Sequence, residues 1–443
     1  MSELAPAYDP AQVEDRLYRQ WTERGDYRAD PASPKPPYSI VIPPPNVTGI
    51  LTLGHVLNNT IQDILARRAR LQGKEVLWLP GTDHAGIATQ TVVERTLKKE
   101  GSIRHRDDLG REAFLKEIWK WKEKHGGIII QQLKKLGASC DWSRERFTMD
   151  AAYSTCVQQV FVDLYQKKLI YRGRRMVNWC PVSRTALSDE EVTMKEQKGL
   201  LYHFRVAVSG EKDRFLTIAT TRPETIPGDT AIAVNPKDPR YAALIGKQAV
   251  RPLPPELPES QRLIPIVGDE HVDMQFGTGV LKVTPAHDPT DFAIAQRHQL
   301  PSLEVIDASG LMTELAGKQL QGLDRGKART ASVDQLKELG LLEKEEPYLN
   351  QVGYSERADV PIEPRLSEQW FLRYPSTKKS REIVSSAKLH FFPDRWTKVY
   401  DHWMENLQDW CISRQLWWGH RIPVWYRGEE VRCQIESPGD EWV

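Results

Sequence analysis

The stretch that most constrains the fold runs from Tyr38 to Gln90, YSIVIPPPNVTGILTLGHVLNNTIQDILARRARLQGKEVLWLPGTDHAGIATQ. Tyr38 to Ile42 is a short apolar run, which predicts a buried strand. Pro43, Pro44 and Pro45 end it, because proline donates nothing to a sheet ladder. Asn46 to Gly49 predicts a turn. A helical repeat follows, with Val56, Leu57, Ile61, Ile64, Leu65 and Leu71 on one side. Gly73 stops that helix, and Glu75 to Leu79 predicts the next strand. Pro80, Gly81 and Thr82 then open a loop carrying Asp83 and His84. Strand, helix and strand within about forty residues make a parallel crossover unit, and such units place ligands beyond the carboxyl ends of their strands.

The chemistry belongs where strand passes into helix. Gly49 and Gly54 let the backbone turn and a ligand come close. His55 lies at the helix opening, where free N–H groups and the dipole favour phosphate. His55 alone fits an ordinary crossover turn with a capping histidine equally well. The words around it are more specific. Thr52-Leu53-Gly54-His55 resembles the HIGH motif of class I aminoacyl-tRNA synthetases. PPPNVTG at 43–49 and GTDHAGIATQ at 81–90 resemble the valine-specific members of that class, not the isoleucine or leucine ones. One departure is Thr52, which stands where the family usually has histidine. Its hydroxyl still bonds a phosphate but brings less charge.

Composition sets the class. The chain has 443 residues, 40% hydrophobic and 27% charged, as in an ordinary globular protein of roughly three domains. The net charge of +1 says nothing about nucleic acid, since a basic face can hide in a neutral total. The N-terminus has no apolar core of signal-peptide length, and no run approaches a membrane span. Five cysteines without a CxxC suit a reducing cytoplasm. Asp9-Pro10-Ala11-Gln12 predicts a helix start. Further helices are expected over about 88–100, 110–136 and 151–169. Tyr202 to Val208 and Phe215 to Thr220 read as strands, in a segment dense in proline and glycine from 222 to 290. A tryptophan-rich helical stretch is expected over 366–425.

The resemblance covers essentially the whole chain and implies an α/β layout. A Rossmann-like catalytic domain over 1–195 is interrupted by a β-rich editing domain over 196–348. The chain returns to the catalytic domain over 349–443. No lysine loop of the KMSKS kind and no anticodon-binding domain are found, so an N-terminal fragment that activates valine slowly is expected. The implied reaction joins valine to ATP, supplied with Mg2+, and passes the valyl group to tRNA(Val). Pro45, Asn46, Gly49, Thr52, Gly54 and His55 are the implied ATP-binding residues; Thr52, Gly54 and His55 are the implied catalytic ones. Asp83 is the candidate for the valine ammonium, helped by Asn46 and the Pro44 carbonyl, and Trp410 for the wall of its pocket. Asp83 as a helix cap and Trp410 as plain core are the simpler alternatives.

A valine pocket does not strongly reject threonine, a limit for which valine enzymes are themselves the known example. Two words match the family's hydrolytic remedy: TTRPET at 220–225 and GTG…KVTPAHDPTD at 277–291. They offer Thr220, Thr221, Arg222, Thr225, Lys282, Thr284, Asp288 and Asp291. Asp291 is the candidate for the ammonium of the mischarged threonyl ester, and Asp288, Lys282 and Thr284 for its hydroxyl. Other readings are an isoleucine-type synthetase, a chain active only as an aminoacyl-tRNA deacylase, and a non-catalytic tRNA-binding module. Cys180 is followed three residues later by Ser183, so no zinc site assembles from local spacing and no structural zinc is expected. A cytoplasmic monomer without membrane contact is the remaining expectation.

Overall fold

The computed structural model describes residues 7–443. The chain divides into two compact units, one formed by the residues up to 167 with 416–443, the other by 168–415.

In the first unit the helix Pro10–Arg24 starts as expected, with the Asp9 side chain accepting from the Ala11 N–H. Strands Pro37–Val41 and Glu75–Leu79 pair in parallel, from Pro37 opposite Glu75 to Val41 opposite Leu79. Helix Leu53–Leu71 is their crossover. Gly81–Thr82 pairs in parallel with Arg146–Phe147. A Cβ on Gly81 would meet the Arg146 carbonyl oxygen at 2.6 Å, so this approach demands glycine. Helices Gly86–Lys99, Arg111–Lys135 and Ala151–Gln166 and an antiparallel pair of strands, Val424–Arg427 with Glu430–Cys433, belong to the same unit.

The crossover helix packs on the face opposite to the one its apolar stripe predicts. Leu57, Ile61, Ile64, Leu65 and Leu71 are exposed, whereas Asn59, Ala66 and Ala69 are buried. Ala66 and Ala69 are small enough to let the helix lie close to Trp78, Ile129 and Leu133 in the core. Polar neighbours on the same side are bonded inward: Gln62 accepts from the Trp78 indole at 3.0 Å and Asp63 from the Ser139 N–H at 2.9 Å. Periodicity shows which residues share a face, not which face the fold covers. The first strand is likewise only half covered, with Ile42 just beyond it fully buried.

The second unit holds two sheets. One has four strands, in the order Trp410–Cys411, Glu363–Leu372, Ile170–Cys180, Thr185–Leu187. The other has seven. Its path runs Val280–Val283, Ala231–Val234, Leu263–Gly268, Gln248–Val250, Val192–Val208, Leu342–Ser355, with Phe215–Thr220 paired to Val192–Val208. Phe204, Val206, Leu216, Ile218, Ile226 and Ile232 fill its core. The tryptophan-rich stretch is not one helical run. Strand Glu363–Leu372 opens it, helices Thr377–Ser385 and Arg395–Glu405 follow, and the chain is extended or irregular beyond them. Tryptophan spacing misleads here because its rings pack as well on strands and loops as on helices.

Candidate functional site

The first unit brings the end of its first strand against the loop after its second. Val47 N–H donates to the Asp83 carbonyl at 3.0 Å, and Asp83 N–H to the Pro45 carbonyl at 2.9 Å. Pro45, Asn46 and Asp83 are therefore neighbours through backbone bonds alone. Asp83 Oδ1 accepts from the Ala85 N–H at 2.9 Å and from the Thr148 hydroxyl at 3.0 Å. Among the described residues no bond is made to its Oδ2. The carboxylate thus turns the chain into helix Gly86–Lys99 with one oxygen, the other making no bond among the described residues.

Thr52 is the residue before helix Leu53–Leu71, and it holds His55. The Thr52 N–H lies 3.1 Å and its hydroxyl 2.8 Å from His55 Nδ1. A backbone N–H only donates, so Nδ1 is the acceptor and the neutral ring carries its proton on Nε2. That N–H faces away from the bond to Thr52, at the helix N-terminus. Among the described residues no atom lies within 4 Å of a Cβ built on Gly49, and the nearest to one on Gly54 is the Thr52 hydroxyl at 3.7 Å. Protein packing therefore does not require either glycine.

Three residues at this site escaped the sequence reading: Thr148, Trp418 and His420. The Thr148 hydroxyl lies 2.6 Å from His84 Nδ1. The Trp418 indole donates to the His84 carbonyl at 2.7 Å, and Gln90 accepts from the Trp417 and Trp418 N–H groups. The His84 and His420 rings lie 5.1 Å apart. Burial lowers the pKa of both rings, against the opposing charge of Asp83. The word Trp417-Trp418-Gly419-His420 was the available signal. Trp410 belongs to the second unit, on an edge strand, where it lines a cavity of about 550 Å3 with Tyr374, His402 and Trp403.

The second unit gathers most of the residues of its two words. Lys282 Nζ donates to Thr225 Oγ1 at 2.9 Å, to Asp229 Oδ1 at 3.2 Å and to Thr284 Oγ1. The Thr284 hydroxyl in turn donates to Asp229 Oδ1 at 2.5 Å. The Thr284 N–H donates to Asp291 Oδ2 at 2.8 Å. Asp288 is the N-cap of helix Pro289–His298, its Oδ1 accepting from Thr290 and Asp291 N–H groups. Burial pushes the Asp291 carboxyl up to about 7; Lys282 opposes that, and Asp288 and Asp229 add to it.

Arg222 sits in a second network. It donates to Glu363 at 2.6 Å, Glu224 at 3.2 Å and the His287 carbonyl at 3.2 Å. Arg325 also reaches Glu363, and Arg329 reaches Glu224. Burial pushes Glu363 up, but Arg222, His287 and Arg325 outweigh it and hold the carboxyl well below its usual range. The Thr220 hydroxyl accepts from the Arg222 N–H, and Thr221 lines a cavity of about 790 Å3 with Arg222, Arg325 and Arg329. Glu224, Asp229, His287, Arg325, Arg329 and Glu363 were not among the candidates read from sequence. Among the described residues no group of three or more His, Cys, Asp or Glu is placed to hold a metal ion. No helix among them is long and apolar enough to cross a membrane.

The family model described as tRNA synthetases class I (I, L, M and V) matches residues 16–443. A valine–tRNA ligase of Geobacter sulfurreducens is 54% identical over 96% of this chain and 47% of its own length. Those of Syntrophotalea carbinolica and Chlorobaculum tepidum are 54% and 52% identical over 98% and 99% of the chain. The chain spans about half the length of these curated relatives.

Proposed function

The chain belongs to the class I tRNA synthetases, and from that premise we propose that it carries the valine-activating turn and the threonine-editing site of a valine–tRNA ligase. In the first unit the carboxylate of valine attacks the α-phosphorus of MgATP, and pyrophosphate leaves. Such transfer is mostly positioning and charge stabilisation. His55 Nε2–H donates to a phosphate oxygen at the helix N-terminus, and Thr52 fixes the ring that does so. Asp83 Oδ2 takes the valine ammonium, leaving the valine carboxylate free to react. The Pro44 carbonyl and Asn46, beside it across the Val47–Asp83 contact, share that task. The valyl group then passes to the terminal adenosine of tRNA(Val).

The second unit, in an inserted domain over about 196–348, hydrolyses threonyl-tRNA(Val). Asp291 holds the substrate ammonium there, and Lys282, Thr284, Thr225 and Arg222 shape the pocket around it.

The observation that carries this reading is the backbone contact that sets Asp83 beside Pro45 and Asn46, one carboxylate oxygen engaged and one not. Calorimetry tests it on the chain itself. Asp83→Ala is expected to weaken valine binding at least about tenfold, the loss of one charged hydrogen bond, and to leave MgATP binding unchanged. Equal valine affinity in the variant would return Asp83 to the role of a helix cap.

A further inference from the structure

We propose that Thr148 is a positioning residue of the amino-acid site: its hydroxyl donates to Asp83 Oδ1 and so sets Oδ2 as the oxygen presented to the valine ammonium. The proposal rests on the reading of Asp83 above. Thr148 comes from a part of the chain held on both sides. Before it, Arg146–Phe147 pairs with Gly81–Thr82, and the Thr148 N–H donates to the Thr82 carbonyl at 3.2 Å. After it, Asp150 caps helix Ala151–Gln166 by accepting from the Tyr153 N–H at 2.8 Å. On the facing loop Ala85 has φ 49°, in the left-handed region that a residue with a side chain seldom enters. The bond from its N–H to Asp83 Oδ1 holds the loop in that turn. From the other side the Trp418 indole grips the His84 carbonyl at 2.7 Å.

The bonds at the hydroxyl leave one consistent assignment. A hydroxyl has one hydrogen and two lone pairs. The His84 N–H takes one lone pair at 2.9 Å. An ionised carboxylate only accepts, so the hydrogen goes to Asp83 Oδ1 at 3.0 Å. His84 Nδ1, at 2.6 Å, then fills the second lone pair as a donor. The ring carries a proton on Nδ1, and a relay runs from His84 through Thr148 to Asp83. Both bonds on the carboxylate, from Thr148 and from the Ala85 N–H, fall on Oδ1. Two bonds on one oxygen fix the carboxylate plane. With the Ala85 bond alone the group turns about its Cβ–Cγ axis, because that torsion is soft. A carboxylate that turns meets an ammonium at a poorer angle. The loss therefore falls on the amino acid and spares the phosphates at His55.

The test is calorimetry of valine and of MgATP on the 443-residue chain. Thr148→Val keeps the shape and removes the hydroxyl. It is expected to weaken valine binding about tenfold, the scale of one hydrogen bond to a charged group, with MgATP binding unchanged. Thr148→Ser restores the hydroxyl and is expected to recover most of the wild-type affinity. In an Asp83→Ala background Thr148→Val is expected to add no further loss, since Thr148 acts through Asp83. A second loss of similar size in that background marks a purely structural role and overturns the proposal. Unchanged valine affinity in Thr148→Val overturns it as well, while a loss in Asp83→Ala keeps the reading of Asp83 intact. Equal affinity in wild type and Asp83→Ala, or no valine binding by the wild type, overturns that reading and this proposal with it. If Thr148→Val fails a melting control, nitrogen NMR of the wild-type His84 ring, assigned with His84→Gln, decides. A proton on Nδ1 supports the proposal, and a bare Nδ1, which would take the Thr148 hydrogen from Asp83, overturns it.

Discussion

His55 in the first unit and Lys282 in the second are both cationic or donor side chains at the heart of a polar cluster, and they are held in opposite ways. His55 leans on one residue, Thr52, and presents its other nitrogen outward. Lys282 is 7% exposed and spends every N–H on a protein oxygen. The same contrast runs through the carboxylates. Asp83 keeps an oxygen unengaged among the described residues, whereas Glu363 is clasped by Arg222 and Arg325. An open site puts its chemistry on side chains that a ligand must complete. A closed one completes itself, and the group its network leaves least settled is Asp291, whose carboxyl burial pushes up to about 7.

The largest expected effect would break the closed cluster. Glu363→Ala leaves Arg325 with carbonyl partners only and is expected to destabilise the fold by about 3–5 kcal/mol, as removal of one member of a buried ion pair does. Thermal unfolding measures it. Next comes Asp291. Its folded pKa of about 7 lies above that of an unfolded aspartate, so its protonated form favours the fold. That contribution is complete below about pH 4 and is lost as pH rises through 7. Asp291→Asn escapes the loss, so urea unfolding should show the variant gaining on wild type by a few kcal/mol between about pH 5 and pH 8. A constant gap would mean that Asp291 does not titrate there. Glu363 carries the opposite sign: its stabilisation is present above the unfolded carboxyl range and fades as pH falls.

In the open site the effects are smaller and fall on binding. His55→Ala is expected to weaken MgATP binding about tenfold or more, one hydrogen bond to a charged group, and to cost the fold only about 1 kcal/mol through loss of the bond to the Thr52 N–H. Calorimetry and a melting curve decide it together. The smallest effect is Gly49→Ala. Its Cβ meets no atom of the described residues, so unfolding free energy should stay within about 0.5 kcal/mol of wild type, while MgATP binding falls because a methyl group stands in the ligand's way. A large loss of stability would show that Gly49 serves the fold instead.

The strand, helix and strand of the first unit were legible because each ends on its own signal: prolines at 43–45, Gly73, and Pro80. Which face of the helix is covered was not, since Leu57 and Ile61 repeat as regularly as any core stripe. In the second unit the words at 220–225 and 277–291 contained Thr225, Lys282, Thr284 and Asp291, but not the residue that joins them. Asp229 lies more than fifty positions from Lys282 in sequence. It arrives beside it because Val280–Val283 runs antiparallel to Ala231–Val234, with Val283 opposite Ala231. Ala231, Ile232, Ala233 and Val234 are all buried, and a strand buried on both faces shows no alternation from which its register could be read.

The three bonds on Lys282 also bear on its reactivity. An amine reacts with acylating reagents through a lone pair, which an ammonium exposes only by losing a proton to solvent. Lys282 has its protons committed to Thr225, Asp229 and Thr284 and almost no surface. Brief treatment with an acylating ester should therefore label the exposed lysines, Lys237 and Lys167 for example, and pass over Lys282. Mass spectrometry of the digested chain would then read the intactness of this cluster directly, one peptide reporting whether the ammonium is still enclosed.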